Sequence, residues 1–256
     1  MNVDKILHVS TYAGKILLES GAETYRIEET IVRICKSFGV DFAESYVTPT
    51  GIMVSIYDQE KNTKTLVTRV KNRSNNLQKI HLVNNLSREL AINSYTVSEV
   101  DELLKEIDHS KVYSNGVTLL SSGFAAAFLT ILFGGRLLDC IVCFFIGICI
   151  RLMAVAADKL LINSFFVNAL GGALAAGSAI FFYKIGLDIN INHVIIGSIM
   201  LLVPGLTITN AIRDTIAGDL LSGLTRAAEA VFIAISIAIG TGAVMTIWVN
   251  HLGGSF

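Results

Sequence analysis

The sequence predicts a polytopic α-helical membrane protein of about five transmembrane helices, one broken at a Pro-Gly pair, with an N-terminal cytoplasmic α+β domain. Three observations carry this. Of the 256 residues, 52% are hydrophobic and only 16% charged, against about 25% charged in an ordinary soluble domain. The charges are unevenly spread: residues 1–116 hold 14 Lys/Arg and 15 Asp/Glu, whereas 117–256 hold six of each. The second portion also contains apolar runs of about 20 residues, the length that crosses bilayer hydrocarbon. The expected division is 1–112 for the cytoplasmic domain and 113–256 for the transmembrane domain, with 205–226 as a re-entrant or amphipathic segment. A net charge of −1 conceals this split. The pattern excludes a uniform soluble globule, a disordered chain and a basic nucleic-acid-binding domain.

In the polar part, Ile6, Val9, Ala13, Ile16 and Leu17 recur at helical spacing before Gly21. A second helix carries Tyr25, Ile27, Ile31, Ile34, Cys35 and Phe38 and stops at Gly39. The period then changes. Tyr46–Thr48, Ile52–Tyr57 and Thr65–Val70 are rich in β-branched and aromatic residues. Asp58–Asn62 reads as a hairpin connection, and Thr48-Pro49-Thr50-Gly51 as a turn or strand break before a ligand loop. Helices follow at about 76–93 and after Ser98, where Ser98 to Asp101 resembles a capping box.

Five apolar stretches are the expected spans: Val117–Phe133, Leu137–Ala157, Leu160–Tyr183, a short His193–Leu206 interrupted by Pro204-Gly205, and Ala227–Val249 with Trp248 as an interfacial anchor. With the domain inside, Lys159, Arg213 and Arg226 fall on the cytoplasmic side and the C-terminus outside. Small-xxx-small pairs at Gly171/Ala175, Gly172/Ala176 and Ala173/Gly177 favour close helix packing over substrate contact. Asp139 reads as a helix-end residue beside Arg136, and Arg151 as a snorkelling one. The N-terminus leads into an amphipathic stretch without an apolar core, so no cleavable signal peptide is expected. Cys140, Cys143 and Cys149 lie in an apolar run, which argues for packing rather than a disulfide, metal or redox pair. Neither metal nor cofactor is expected.

Two polar clusters are candidate sites. In the block Glu19–Thr30, Glu19, Glu23, Arg26 and Glu28 could bind a cation or amine, or simply form a solvated helix start whose acids suit the dipole. The second lies behind Pro204 and Gly205, where the fourth span is expected to break. If the chain beyond is helical, Thr207, Ala211, Asp214, Gly218, Ser222, Thr225 and Glu229 share one face with Asn210 at its margin. Ile208, Ile212, Ile216, Leu220 and Leu224 form the opposite stripe. One reading is an interfacial helix with solvated charges. The other is a lining helix, with Asp214 and Asp219 as proton or cation sites and Arg213 or Arg226 meeting a carboxylate.

Glu19-Ser20-Gly21-Ala22-Glu23-Thr24-Tyr25-Arg26-Ile27-Glu28-Glu29-Thr30, Thr48-Pro49-Thr50-Gly51, and Pro204-Gly205 followed by Asn210, Arg213-Asp214, Gly218-Asp219, Ser222-Gly223 and Arg226 together resemble the threonine/serine exporter family. The resemblance covers nearly the whole chain and is closest to the stand-alone N-terminal-half type of subunit. It implies export of threonine- and serine-like amino acids or succinate-like dicarboxylates across the bacterial inner membrane, driven by the proton gradient. It also implies a smaller membrane subunit as partner, or homo-oligomers, within membrane lipid. The absence of a Gly-x-x-x-x-Gly-Lys-Ser/Thr stretch agrees with a gradient rather than ATP. On that reading Asp214 is the first coupling carboxylate and Asp219 the second. Asn210, Thr207 and Ser222 supply neutral hydrogen bonds, and Pro204, Gly205 and Gly218 shape the path. The alternatives are a regulatory or substrate-sensing subunit and a membrane-tethered hydrolase. Against the hydrolase, no nucleophile–base constellation is present.

Overall fold

A computed structural model describes the chain except residues 1, 58, 59, 61, 111, 112 and 254–256. The expected connection Asp58–Asn62 therefore lies largely outside the described residues. Two compact units emerge that a single cut of the sequence does not separate. The first comprises residues 1–112 and 205–228, the second 113–204 and 229–256.

In the first unit, α1 (Val3–Glu19) and α2 (Thr24–Ser37) are followed by β1 (Ala43–Thr48), β2 (Gly51–Tyr57) and β3 (Thr63–Arg69). The strands form an antiparallel sheet in the order β1-β2-β3. Thr48 pairs with Gly51, so Pro49 and Thr50 form the tight turn of the first hairpin. Helices α3 (Leu77–Glu89) and α4 (Val97–His109) complete the α+β part. Ile6, Ile16, Leu17, Ile27, Ile31, Ile34, Ile52, Ile56 and Leu104 are completely buried in one core. The capping box of α4 is two residues earlier than expected: Thr96 caps Glu99 N–H, and the Glu99 carboxylate accepts from Thr96 N–H at 2.7 Å. Glu99 reaches back across the turn, which the shorter Asp101 does less readily.

In the second unit, α5 (Asn115–Leu132), α6 (Leu137–Lys159) and α7 (Ser164–Lys184) are long and apolar enough to cross a membrane. So is α10 (Leu220–Leu252), whose residues from 229 belong here. The expected His193–Leu206 span is corrected. Its helix, α8 (Ile191–Ile199), has nine residues, a rise of about 14 Å, roughly half the hydrocarbon thickness. Asn190 starts it by accepting from His193 N–H at 3.1 Å, and the chain turns at 200–203 before Pro204. Among the described residues four helices qualify rather than five, and the external C-terminus inferred from an odd count loses its basis.

Buried Asp139 accepts from the backbone N–H groups of Arg136 and Asn190, both at 2.8 Å, and so ties the start of α6 to the start of α8. Glycines set the closest approaches. A Cβ on Gly240 would lie 1.8 Å from the Ala169 carbonyl oxygen, and one on Gly172 would lie 2.6 Å from that of Ile237. Trp248 is 6% exposed and packs against the end of α7, with Lys184 Nζ 5.0 Å above its ring.

Candidate functional site

The two polar clusters, about 190 residues apart in sequence, meet in the first unit. After Pro204 the chain forms α9 (Gly205–Ala217). It does not run on as one helix through 226, as the shared-face reading assumed. Gly218 adopts φ +97°, Asp219 N–H donates to the Asp214 carbonyl at 2.8 Å, and α10 begins at Leu220. A positive φ ends a right-handed helix and suits glycine, which has no Cβ to clash. The two arms pack tightly at Gly223, where a Cβ would meet the Ala211 carbonyl oxygen at 3.0 Å.

This hairpin holds the link between α1 and α2 residue by residue. Asn210 Nδ2 donates to the Gly21 carbonyl at 2.8 Å, and Arg226 Nη2 to the Ala22 carbonyl at 2.8 Å. Arg213 Nη1 donates to Glu23 Oε1 at 2.5 Å. Thr24 donates twice to Asp214, from its backbone N–H at 3.0 Å and its hydroxyl at 3.1 Å. Arg226 Nε completes the arrangement 3.0 Å from Asp214 Oδ2, and the Asp214 and Arg226 side chains are 0% and 4% exposed.

Local sequence explains why this link needs an outside acceptor. Glu23 occupies the N-cap of α2, and its side chain makes no capping hydrogen bond. Glu is not among the residues that cap well. The first turn of α2 therefore presents free N–H groups and the positive end of its dipole, and a carboxylate is the natural complement. Asp214 supplies it from another element. Burial pushes the Glu23 carboxyl up, but hydrogen bonds from its own backbone and Arg213, with the charges of Arg26 and Arg213, outweigh that and lower its pKa. Arg26 Nε lies 3.0 Å from Glu23 Oε2.

Of the residues singled out from sequence, Asn210, Arg213, Asp214, Arg226, Glu23 and Arg26 are thus brought into one network. Ser222 is buried in the first turn of α10, and Thr207 is half-buried on α9. Pro204 and Gly205 mark the start of α9, and Gly218 makes the turn. Half-exposed Asp219 contributes its backbone there, accepting from Gly223 N–H at 2.9 Å. Glu28 stands at the margin and accepts from Val47 N–H at 2.8 Å. Burial, only partly offset by that bond, raises its pKa, and the charges of Asp219 and Asp214 raise it further. The Glu19 carboxylate pairs with Lys15 at 3.7 Å and is not one of the network's partners. Sequence reading passed over Thr24 and the Gly21 and Ala22 carbonyls. The available signal was a helix start with a Glu where a Ser, Thr, Asp or Asn cap is usual. Among the described residues no group of three or more His, Cys, Asp or Glu could hold a metal ion.

The expected stripe is divided between two helices, with Ile208, Ile212 and Ile216 on α9 and Leu220 and Leu224 on α10, and all five side chains are exposed.

Comparison with known proteins follows this geometry. A family described as "Putative threonine/serine exporter" matches residues 8–248. The "Threonine/serine exporter" of Corynebacterium glutamicum is 22% identical over 244 residues, covering 93% of this chain and 50% of that protein. The "Probable succinate transporter subunit YjjP" of Klebsiella aerogenes is 24% identical over 237 residues, covering 91% of this chain and 90% of that one. The "Pheromone-regulated membrane protein 10" of Kluyveromyces lactis is 26% identical over 247 residues, covering 93% of this chain and 25% of the yeast protein. The chain thus spans about half the length, or less, of the exporter and the yeast protein. No solved structure matches it. Both halves of the charged network, the 21–24 link and the hairpin of α9 and α10, fall inside the matched region, and the chain belongs to the threonine/serine exporter family.

Proposed function

We propose that this chain is a secondary-transport subunit that exports small polar metabolites bearing a carboxylate, threonine- or serine-like amino acids or succinate-like dicarboxylates. It works in the bacterial inner membrane with residues 1–112 on the cytoplasmic side, powered by the proton gradient. Its partner is a smaller membrane subunit of the same family, or further copies of itself. The observation that carries this reading is the buried Asp214–Arg226 pair on the hairpin of α9 and α10. A buried ion pair is costly to desolvate and adds little stability for that cost, so its presence marks a candidate for function. Family membership supports it, as do relatives named as a threonine/serine exporter and a succinate transporter subunit.

In this mechanism Asp214 is the first coupling carboxylate and Asp219 the second. Arg213 or Arg226 holds the substrate carboxylate, while Asn210, Thr207 and Ser222 supply neutral hydrogen bonds. The test is reconstitution into vesicles, alone and with the partner, under an imposed pH gradient with labelled threonine, serine and succinate. Asp214→Asn is expected to insert normally and to abolish gradient-driven transport; full transport by that variant refutes its coupling role.

One observation favours a second reading, a sensing or regulatory subunit. Every partner of the network lies in the unit that also contains the sheet. If only the partner transports, and this chain merely alters its rate, that reading replaces the first.

A further inference from the structure

We infer that the place Asp214 fills is a carboxylate seat, and that Asp214 is a tethered stand-in which a small carboxylate metabolite displaces. Three groups from two distant residues converge there. Thr24 offers its main-chain N–H and hydroxyl, and Arg226 offers its guanidinium, 4% exposed. The Arg226 Nη2 group is anchored on the Ala22 carbonyl, which leaves Nε facing the carboxylate. Because the Glu23 side chain makes no capping hydrogen bond, the positive end of α2 is also directed at this point.

This donor set reads a carboxylate by charge and by the directions of its lone pairs. The fit is therefore to a class, small amino acids and dicarboxylates alike, which differ in everything except that group. The occupant in the structure is not part of the seat. Asp214 comes from α9, on a hairpin whose arms meet at the Gly218 turn, and its two carboxylate oxygens accept from the Thr24 donors. With one guanidinium paired to it, the seat neutralises one carboxylate at a time, so Asp214 and a ligand exclude each other. Ligand entry then removes the Asp214 contact between α9 and the start of α2, leaving those of Asn210 and Arg213. The inference rests on the exporter reading for its choice of ligand, but the seat can be tested without transport.

The experiment uses the full chain in detergent, with Asp214→Ala and Asp214→Asn, and sodium acetate as the probe. Acetate should raise the thermal midpoint of both variants by a few degrees and saturate. Acetamide and sodium chloride at equal concentration should not, and the wild-type protein should respond only at much higher acetate, because the anion must first displace Asp214. Adding Arg226→Met to Asp214→Ala should remove the gain. Variants that survive extraction only in acetate give the same result in stronger form. Equal gains in wild type and variants, no gain in either variant, a gain that persists without Arg226, or loss of both variants even in acetate overturns the seat. A seat confirmed in vesicles that show no transport would refute the exporter reading alone; transport without acetate rescue would refute the seat alone.

Discussion

Substituting Arg226 by Met tests whether the Asp214 pair is integral to the fold of the first unit. Met keeps most of the length and apolar volume of the Arg stem but removes the guanidinium. Asp214 would then remain at 0% exposure with only the two Thr24 donors to offset its charge. Removing one partner of a buried pair costs about 3–5 kcal/mol, because the remaining charge keeps its desolvation penalty. For a chain of this size each kcal/mol lowers the thermal midpoint by about 2–4 °C, so the fall should be on the order of 10 °C. Thermal unfolding of the detergent-solubilised chain measures it. The double variant Arg226→Met, Asp214→Asn carries neither charge of this pair and should recover much of the loss, with a coupling energy of about 1–3 kcal/mol. Arg33→Met is the control. Its i,i+4 pair with Glu29 is solvated and contributes about 0.3–0.5 kcal/mol. An Arg226→Met loss no greater than that of Arg33→Met, or strictly additive single effects, refutes the reasoning.

Two further outcomes follow from the geometry. Gly240→Val places a Cβ 1.8 Å from a backbone oxygen of α7, which cannot step aside as a side chain can; a loss of about 1–3 kcal/mol or more should appear as reduced yield and midpoint. Gly242→Ala, where nothing lies within 4 Å, should be neutral, and equal effects at both positions would refute the close approach. Glu28→Gln retains an acceptor for Val47 N–H while removing a carboxyl whose pKa is raised above 4.5. A raised carboxyl binds its proton more tightly in the folded state, so ionisation costs stability at neutral pH, and that cost disappears as pH falls below the unfolded value. The variant should be more stable than wild type at pH 7, with the difference closing towards pH 4.5; a difference constant from pH 4 to 8 would refute it.

The long spans were legible because bilayer thickness imposes a length and an apolar composition that any chain must display. The core faces of α1 and α2 were legible for a similar reason, since burial on one side leaves a 3.6-residue period. The charged knot was visible as five ionisable residues within 213–229, but its partners were not. Nothing in local sequence links Asp214 to Thr24 across 190 residues. The turn at Gly218 was hidden for a subtler reason. Asp214, Gly218 and Ser222 are spaced for one helical face, so period alone favours continuation, and only a positive φ at Gly218 breaks it. The short α8 was misread because apolar residues run on through Leu201–Val203 while the backbone has already left the helix.

The separation between Thr24 and Asp214 also orders events during synthesis. At about 5–20 residues per second, roughly 10–40 s pass between the emergence of Thr24 and that of Asp214, 190 residues later. For that interval the first turn of α2 is complete in sequence yet lacks its acceptor, so its N–H groups remain solvated. Closing so long a loop adds little entropy cost for each further residue, but it can happen only after α5, α6 and α7 have been made. A chain cut before residue 205 lacks Asp214, so the first turn of its α2 stays without the carboxylate that otherwise accepts from Thr24.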